Sequence, residues 1–117
     1  MSAPPCSASI ASFAGVITLV QTSFPDRASA ERIGRLMVES RLAACCNILG
    51  ECRSVYRWRG EVATAEEVIA LFKTSPVRTR RLVERLTALH PYELPAIESW
   101  EAAAASAVEE WINLETD

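Results

Sequence analysis

Hydrophobic and polar positions change rhythm several times along this chain of 117 residues. Val16-Ile17-Thr18-Leu19-Val20-Gln21-Thr22 is a nearly continuous apolar run with several β-branched side chains, which predicts a strand covered on at least one face. Ser23-Phe24-Pro25-Asp26 then supplies turn chemistry. From about Asp26 to Arg41, Ala30, Ile33 and Met37, with Gly34 and Leu36 beside them, recur at three- and four-residue steps, the spacing of an amphipathic helix. A glycine inside a helix costs roughly 1 kcal/mol relative to alanine, so Gly34 points to a close approach between helix and sheet.

Between Leu42 and Thr74 the pattern turns to β. Leu42-Ala43-Ala44-Cys45-Cys46-Asn47-Ile48 and Ser54-Val55-Tyr56-Arg57-Trp58-Arg59-Gly60 are rich in β-branched and aromatic residues, and Trp58-Arg59-Gly60-Glu61 signals a tight reversal. The returning strand is predicted from about Glu66 to Thr74, ended by Pro76. Arms of this length exceed the usual five or six residues of a strand, so part of the hairpin is expected to project and find a partner.

Pro76 suits the start of a second helix to about Leu89, with Leu82, Val83, Leu86 and Leu89 as its buried stripe. Arg78, Arg80, Arg81 and Arg85 lie on its more exposed sides, where they read as a solvated face or as a grip for an anion. Leu89-His90-Pro91-Tyr92-Glu93-Leu94-Pro95 is a stiff connector. A short strand over Ala96 to Trp100 and a final helix from about Ala103 to Leu114 follow, the run of alanines at its start favouring helix. That helix presents Ala104, Val108, Trp111 and Ile112 on one face.

The order β, α, β, β, α, β, α defines an α+β fold, a ferredoxin-like βαββαβ sandwich with a long hairpin between its second and third strands and an extra C-terminal helix. Both crossover helices cover one face of the sheet. The other face also needs cover, because Tyr56 and Trp58 alternate with Arg57 and Arg59, and a subunit interface would provide it.

Length allows one domain, assigned to residues 16–117 behind a flexible leader over 1–15. A net charge of -3 argues against a general nucleic-acid binder. All basic residues lie between Arg27 and Arg85, whereas Glu93, Glu98, Glu101, Glu109, Glu110, Glu115 and Asp117 follow Tyr92 with no basic residue among them. That asymmetry suits either pairing of neighbouring chains or a solvated acidic face. No stretch approaches the roughly 20 apolar residues of a membrane span. Cys6, Cys45, Cys46 and Cys52 lack zinc-site spacing, and with no export signal they are expected to be reduced thiols in the cytoplasm.

His90 is the only histidine. It is a candidate metal ligand, with Cys45 or with Glu67 from a neighbouring chain, or else a cap on the preceding helix. Cys45 and Cys46 must point to opposite faces of their strand. Tyr56, Trp58 and Tyr92 read either as the lining of a small-molecule cleft between subunits or as interface core. Lys73 and Glu67 would give that cleft a polar anchor, or form a cross-strand pair worth less than about 1 kcal/mol.

The series Leu42-Ala43-Ala44-Cys45-x-Asn47-Ile48, Ser54-x-Tyr56-x-Trp58-x-Gly60, Glu67, Lys73-Thr74, His90-Pro91-Tyr92-x-x-Pro95-x-Ile97 and Trp111-Ile112 resembles the CutA divalent-cation tolerance family from Val16 to Ile112. The resemblance implies a ferredoxin-like fold assembled as a tight homotrimer, similar in architecture to the PII signal proteins. It also implies tolerance of copper and other divalent cations, copper or another divalent cation as ligand, and no enzymatic reaction. The chain departs from some bacterial members by carrying Gln21 where they place a cysteine, and Leu89-His90 where they place paired histidines. A metal site carried over from those members is left with His90 of its three ligands, so the candidate ligands on this chain are His90 with Cys45 or Glu67. The competing expectation is a small-molecule-binding signal or enzyme-like protein that uses the cleft of Tyr56, Trp58, Lys73 and Tyr92 between subunits.

Overall fold

Backbone pairing begins at Gly15 in the computed structural model, which describes residues 13–117, so nearly all of the expected leader lies outside the described residues. Strand β1 (Gly15–Phe24) leads into helix α1 (Arg27–Glu39), whose entry is fixed by the Asp26 carboxylate accepting the Ser29 backbone N–H at 2.7 Å. Strands β2 (Cys45–Trp58) and β3 (Glu61–Thr74) form the hairpin. It reverses through Arg59 and Gly60, both left-handed at φ 50° and 84°, the geometry that matches the twist of two flanking strands. A short 3-10 turn over Pro76–Arg78 precedes α2 (Thr79–Leu89), and β4 (Ile97–Ala104) and α3 (Ser106–Glu115) close the chain.

The strands make one antiparallel sheet in the order β2-β3-β1-β4, the ferredoxin-like arrangement expected from the order of elements. Alternation along the strands then decides what each face carries. Val20, Phe24, Val68, Ala70 and Phe72 point to one side and meet Ala30, Ile33 and Met37 of α1 and Leu82 and Leu86 of α2 in a single buried core. On the other side Leu19 pairs with Lys73, Gln21 with Leu71 and Ser23 with Ile69, all only half-buried. Helix α3 covers one end of that second side by seating Ile112 against Ile17, Ala44 and Ala104. Trp100, opposite Leu19, stays 44% exposed.

Several expected boundaries move, and Ser23 and Phe24, expected in the turn, complete β1. The alanine run does not start the last helix: Ala102 and Ala104 pair with Ile17 and Gly15, and α3 begins only at Ser106. Sheet pairing and burial beneath α3 override the helical preference of alanine, which is worth less than 1 kcal/mol or so per residue against most others. Strand β3 starts at Glu61 rather than Glu66, because its polar first half pairs in full with β2. Since β1 ends with Phe24 opposite Val68, residues 61–67 have β2 as their strand neighbour and nothing of β1 beside them. This ribbon is the projecting arm, and the molecule measures 50 × 27 × 22 Å.

Two of the four arginines expected on the second helix, Arg78 and Arg80, are engaged separately. The Arg78 Nε donates to the Thr116 carbonyl at 2.5 Å, and Arg41 donates to the Leu114 carbonyl at 2.6 Å, so two cations hold the carbonyl end of α3. Arg80 pairs with Glu84 one turn on, at 3.1 Å. Among the described residues no helix is long and apolar enough to cross a membrane.

Gly34 does bring α1 against the sheet: a Cβ there would lie 2.9 Å from the Cys46 sulfur. Gly34→Val is expected to lower stability by about 1–3 kcal/mol through overpacking. In a urea melt, Cys46→Ala should recover part of that loss, whereas additive effects would show that the contact is not the cause.

Candidate functional site

Chemistry-bearing side chains gather where β1 stops and the arm begins. Phe24 is the last residue of β1, and the His90 ring stacks on it with centroids 4.7 Å apart and planes 10° off parallel. His90 is buried, and both of its nitrogens are engaged. Nε2 lies 2.9 Å from the Ser23 carbonyl and 3.2 Å from the Thr22 hydroxyl, while Nδ1 lies 3.2 Å from the Tyr92 backbone nitrogen. A backbone N–H can only donate, so Nδ1 is the acceptor, Nε2 carries the proton, and the imidazole is neutral. Burial lowers its pKa, opposed by the Ser23 carbonyl and the Glu67 charge. The imidazole therefore does not cap α2; that helix ends with the His90 backbone N–H on the Leu86 carbonyl at 2.9 Å.

Two residues past His90 the connector brings Tyr92 to the sheet's second side. Its hydroxyl donates to Glu67 Oε2 at 2.6 Å, and the Ser23 hydroxyl donates to the same oxygen at 3.1 Å. Burial works to raise the Glu67 pKa, but the hydroxyls of Ser54, Tyr92 and Ser23, with His90, outweigh it and hold the carboxylate below its ordinary range. Tyr92 moves the opposite way: burial first, then the neighbouring carboxylate, push its phenol up. Ser54, Ser23 and Tyr92 thus surround Glu67, and Tyr56 lies on the same side of the arm, opposite Ala63. Ser23 and Ser54 were not singled out from the sequence. The signal for Ser23 was available, since alternation along β1 puts it on the same side as Gln21 and Leu19.

The remaining candidates lie elsewhere. Lys73 and Cys45 face one another across β2 and β3, six residues or about 20 Å along the strand from Glu67. Burial raises the Cys45 thiol, with Lys73 pulling against it. Cys46, on the core side beneath Gly34, is pushed up to about 12 by burial and then by Cys45. Trp58 stands near the tip of the arm beneath the Arg59 guanidinium, 5.3 Å from its ring centre. Gln21 sits opposite Leu71, and Leu89 packs against the core.

These positions bear on a cation. Among the described residues no three His, Cys, Asp or Glu side chains are close enough to hold a metal ion. His90 has no free lone pair as placed, and Cys45 is far from both His90 and Glu67. The described donors of one chain do not by themselves fit a metal centre.

A ferredoxin-like sandwich with one face open and a central hairpin drawn out into an arm is the class of protein that these features define. Within it, the chain belongs to the CutA1 divalent ion tolerance protein family, which it matches over residues 18–115. The divalent-cation tolerance protein CutA of Thermotoga maritima is 47% identical over 79 residues, spanning 68% of this chain and 77% of that protein. The CutA of Thermus thermophilus is 43% identical over 79 residues, with the same 68% and 77% shares. The crystal structure of CutA from Xylella fastidiosa superimposes with a TM-score of 0.83 at 39% identity, covering 86% of this chain and 98% of that one.

The neutral His90 and ionised Glu67 predict a pH dependence. Both pKa values are lower folded than unfolded, so the unfolded chain binds the extra protons. Their stabilisation is complete above the ordinary histidine value of 6.5 and is lost as pH falls through the folded values, His90 first. The urea midpoint should fall between pH 7.5 and pH 5, and less steeply in His90→Asn; equal slopes would remove His90 from the linkage.

Proposed function

We propose that this protein serves divalent-cation tolerance in the cytoplasm as a non-enzymatic homotrimer that binds copper or another divalent cation and takes part in the response to metal ions. The observation that carries the reading is the sheet's second side. Past Leu19, which packs against the cluster under α3, half-buried Ile69 and Leu71 share it with exposed Trp100, and the arm adds exposed Tyr56 and Trp58. Apolar and aromatic surface of this kind is what association removes from water. The relatives' names, which speak of divalent-cation tolerance, supply the metal.

Because the described residues of one chain do not group three donors, the cation in this reading is held between chains. Cys45 and Glu67 both lie on the side that a neighbour would cover and offer a thiol and an ionised carboxylate. Thiolate suits copper(I), and carboxylate suits harder ions. His90 serves the connector instead. The contact of Tyr92 with Glu67, with Tyr56 on the same side of the arm, favours, as a second reading, a cleft for a small molecule between subunits, to which Lys73, about 20 Å along the strand from Glu67, would come from another chain.

Light scattering should give three chains per particle. Copper titrated by calorimetry should bind at least about tenfold more weakly to Cys45→Ala than to the native protein, whereas His90→Ala should leave the isotherm unchanged. A monodisperse monomer would overturn the assembly, and three identical isotherms would overturn the ligand assignment.

A further inference from the structure

The arm's root has an unusual neighbour. Strand β1 stops at Phe24, opposite Val68, so residues 61–67 of β3 continue outward with β2 on one side and no strand on the other. A two-stranded ribbon is marginally stable by itself in water. Its aromatic side chains Tyr56 and Trp58 are 43% and 39% exposed, so side-chain packing adds little along its outer half.

The connector between α2 and β4 runs to this place. It is anchored inside by His90, stacked on Phe24 and bonded to Ser23 and to the Tyr92 backbone. Beyond that anchor it touches the arm twice: at the root through Tyr92 and Glu67 at 2.6 Å, and near the tip through Glu93 and Arg59 at 3.0 Å. Pro91 and Pro95 bound the three residues between them and fix φ at each end, which limits how far the segment can yield. The two contacts are unequal. The first joins a hydroxyl to an ionised, part-buried carboxylate, and the second is a surface ion pair with side chains 70% and 75% exposed.

We propose that residues 91–95 are a brace that stands in for the missing strand beside β3 and sets the direction of the arm before any partner arrives. Tyr92 is its main fastening and Glu93 the secondary one. The brace limits local opening of the arm, and, resting here on the trimeric reading above, it lowers the ordering cost of association by presenting Tyr56 and Trp58 in place.

Hydrogen exchange of the purified full chain, followed by mass spectrometry, separates the two parts. Tyr92→Phe should speed exchange over residues 52–66 by about tenfold, the loss of one hydrogen bond to a charged acceptor, and leave residues 68–74 unchanged. Glu93→Gln should change the arm by no more than about twofold. Faster exchange confined to residues 90–96, or no change at all, would overturn the brace. In the same samples, sedimentation should show that Tyr92→Phe needs a higher concentration than the native chain to assemble. If the native chain sediments as a monomer, the trimeric reading fails while the exchange rates still decide on the brace; assembly at equal concentrations would overturn its role in association.

Discussion

A sheet has two faces, and the two crossover helices of this chain pack on the same one. Right-handed crossovers from β1 to β2 and from β3 to β4 place α1 and α2 together, so Val20, Phe24, Val68 and Phe72 are buried between sheet and helices. The opposite residues of the same strands are also apolar in large part: Leu19, Ile69 and Leu71 would suit a core, and α3 covers only the end near Ile17, Leu19 and Ala104. Everything distinctive about the molecule follows from that surplus of apolar sheet.

The arm extends the same surplus, and it does so because of one inserted residue. Up to Ile48, β2 sends Cys45 and Asn47 to the open side and Cys46 and Ile48 to the core. The register shifts between Ile48 and Gly50, where φ is 109° and glycine alone is at ease. Beyond the bulge Cys52, Ser54 and Tyr56 pair with Glu67, Ala65 and Ala63, so the aromatics fall on the open side. Without it Tyr56 would stand opposite Val62 and point away from Glu67. The neighbourhood of Ser54, Tyr56, Tyr92 and Glu67 therefore depends on Gly50 as much as on its own members.

Much of this was legible in the residues. The apolar run at Val16–Thr22, the helical spacing of Ala30, Ile33 and Met37 and the reversal at Gly60 gave the element order, and that order gave the fold. What periodicity could not show was long-range. Ala102 and Ala104 are helix formers by themselves, and only their partners Ile17 and Gly15 make them strand. His90 looked like a ligand or a cap because its type and position allow both. Its actual partners, Ser23 and Phe24, stand more than sixty residues earlier and meet it only when β1 and α2 are packed. The polar stretch from Glu61 to Ala65 carries no core residue and is held in the ladder by β2 alone.

The adjacent cysteines show how far environment divides identical chemistry. Cys46 lies under Gly34 on the core side, and burial keeps its thiol protonated far beyond neutral pH, so it packs as a small apolar group. Cys45 looks across to Lys73 on the open side, where the lysine favours the thiolate although partial burial still prevails. A neighbour covering that side would remove more water from both groups and strengthen their attraction, which works in favour of the thiolate; the same covering deepens the desolvation that opposes it. Which effect wins is decided by whether a further cation sits against the sulfur. In the metal-binding reading proposed above, a soft cation would supply the positive charge that Lys73 alone does not, and the metal chemistry of Cys45 would then depend on the packing of one chain against another.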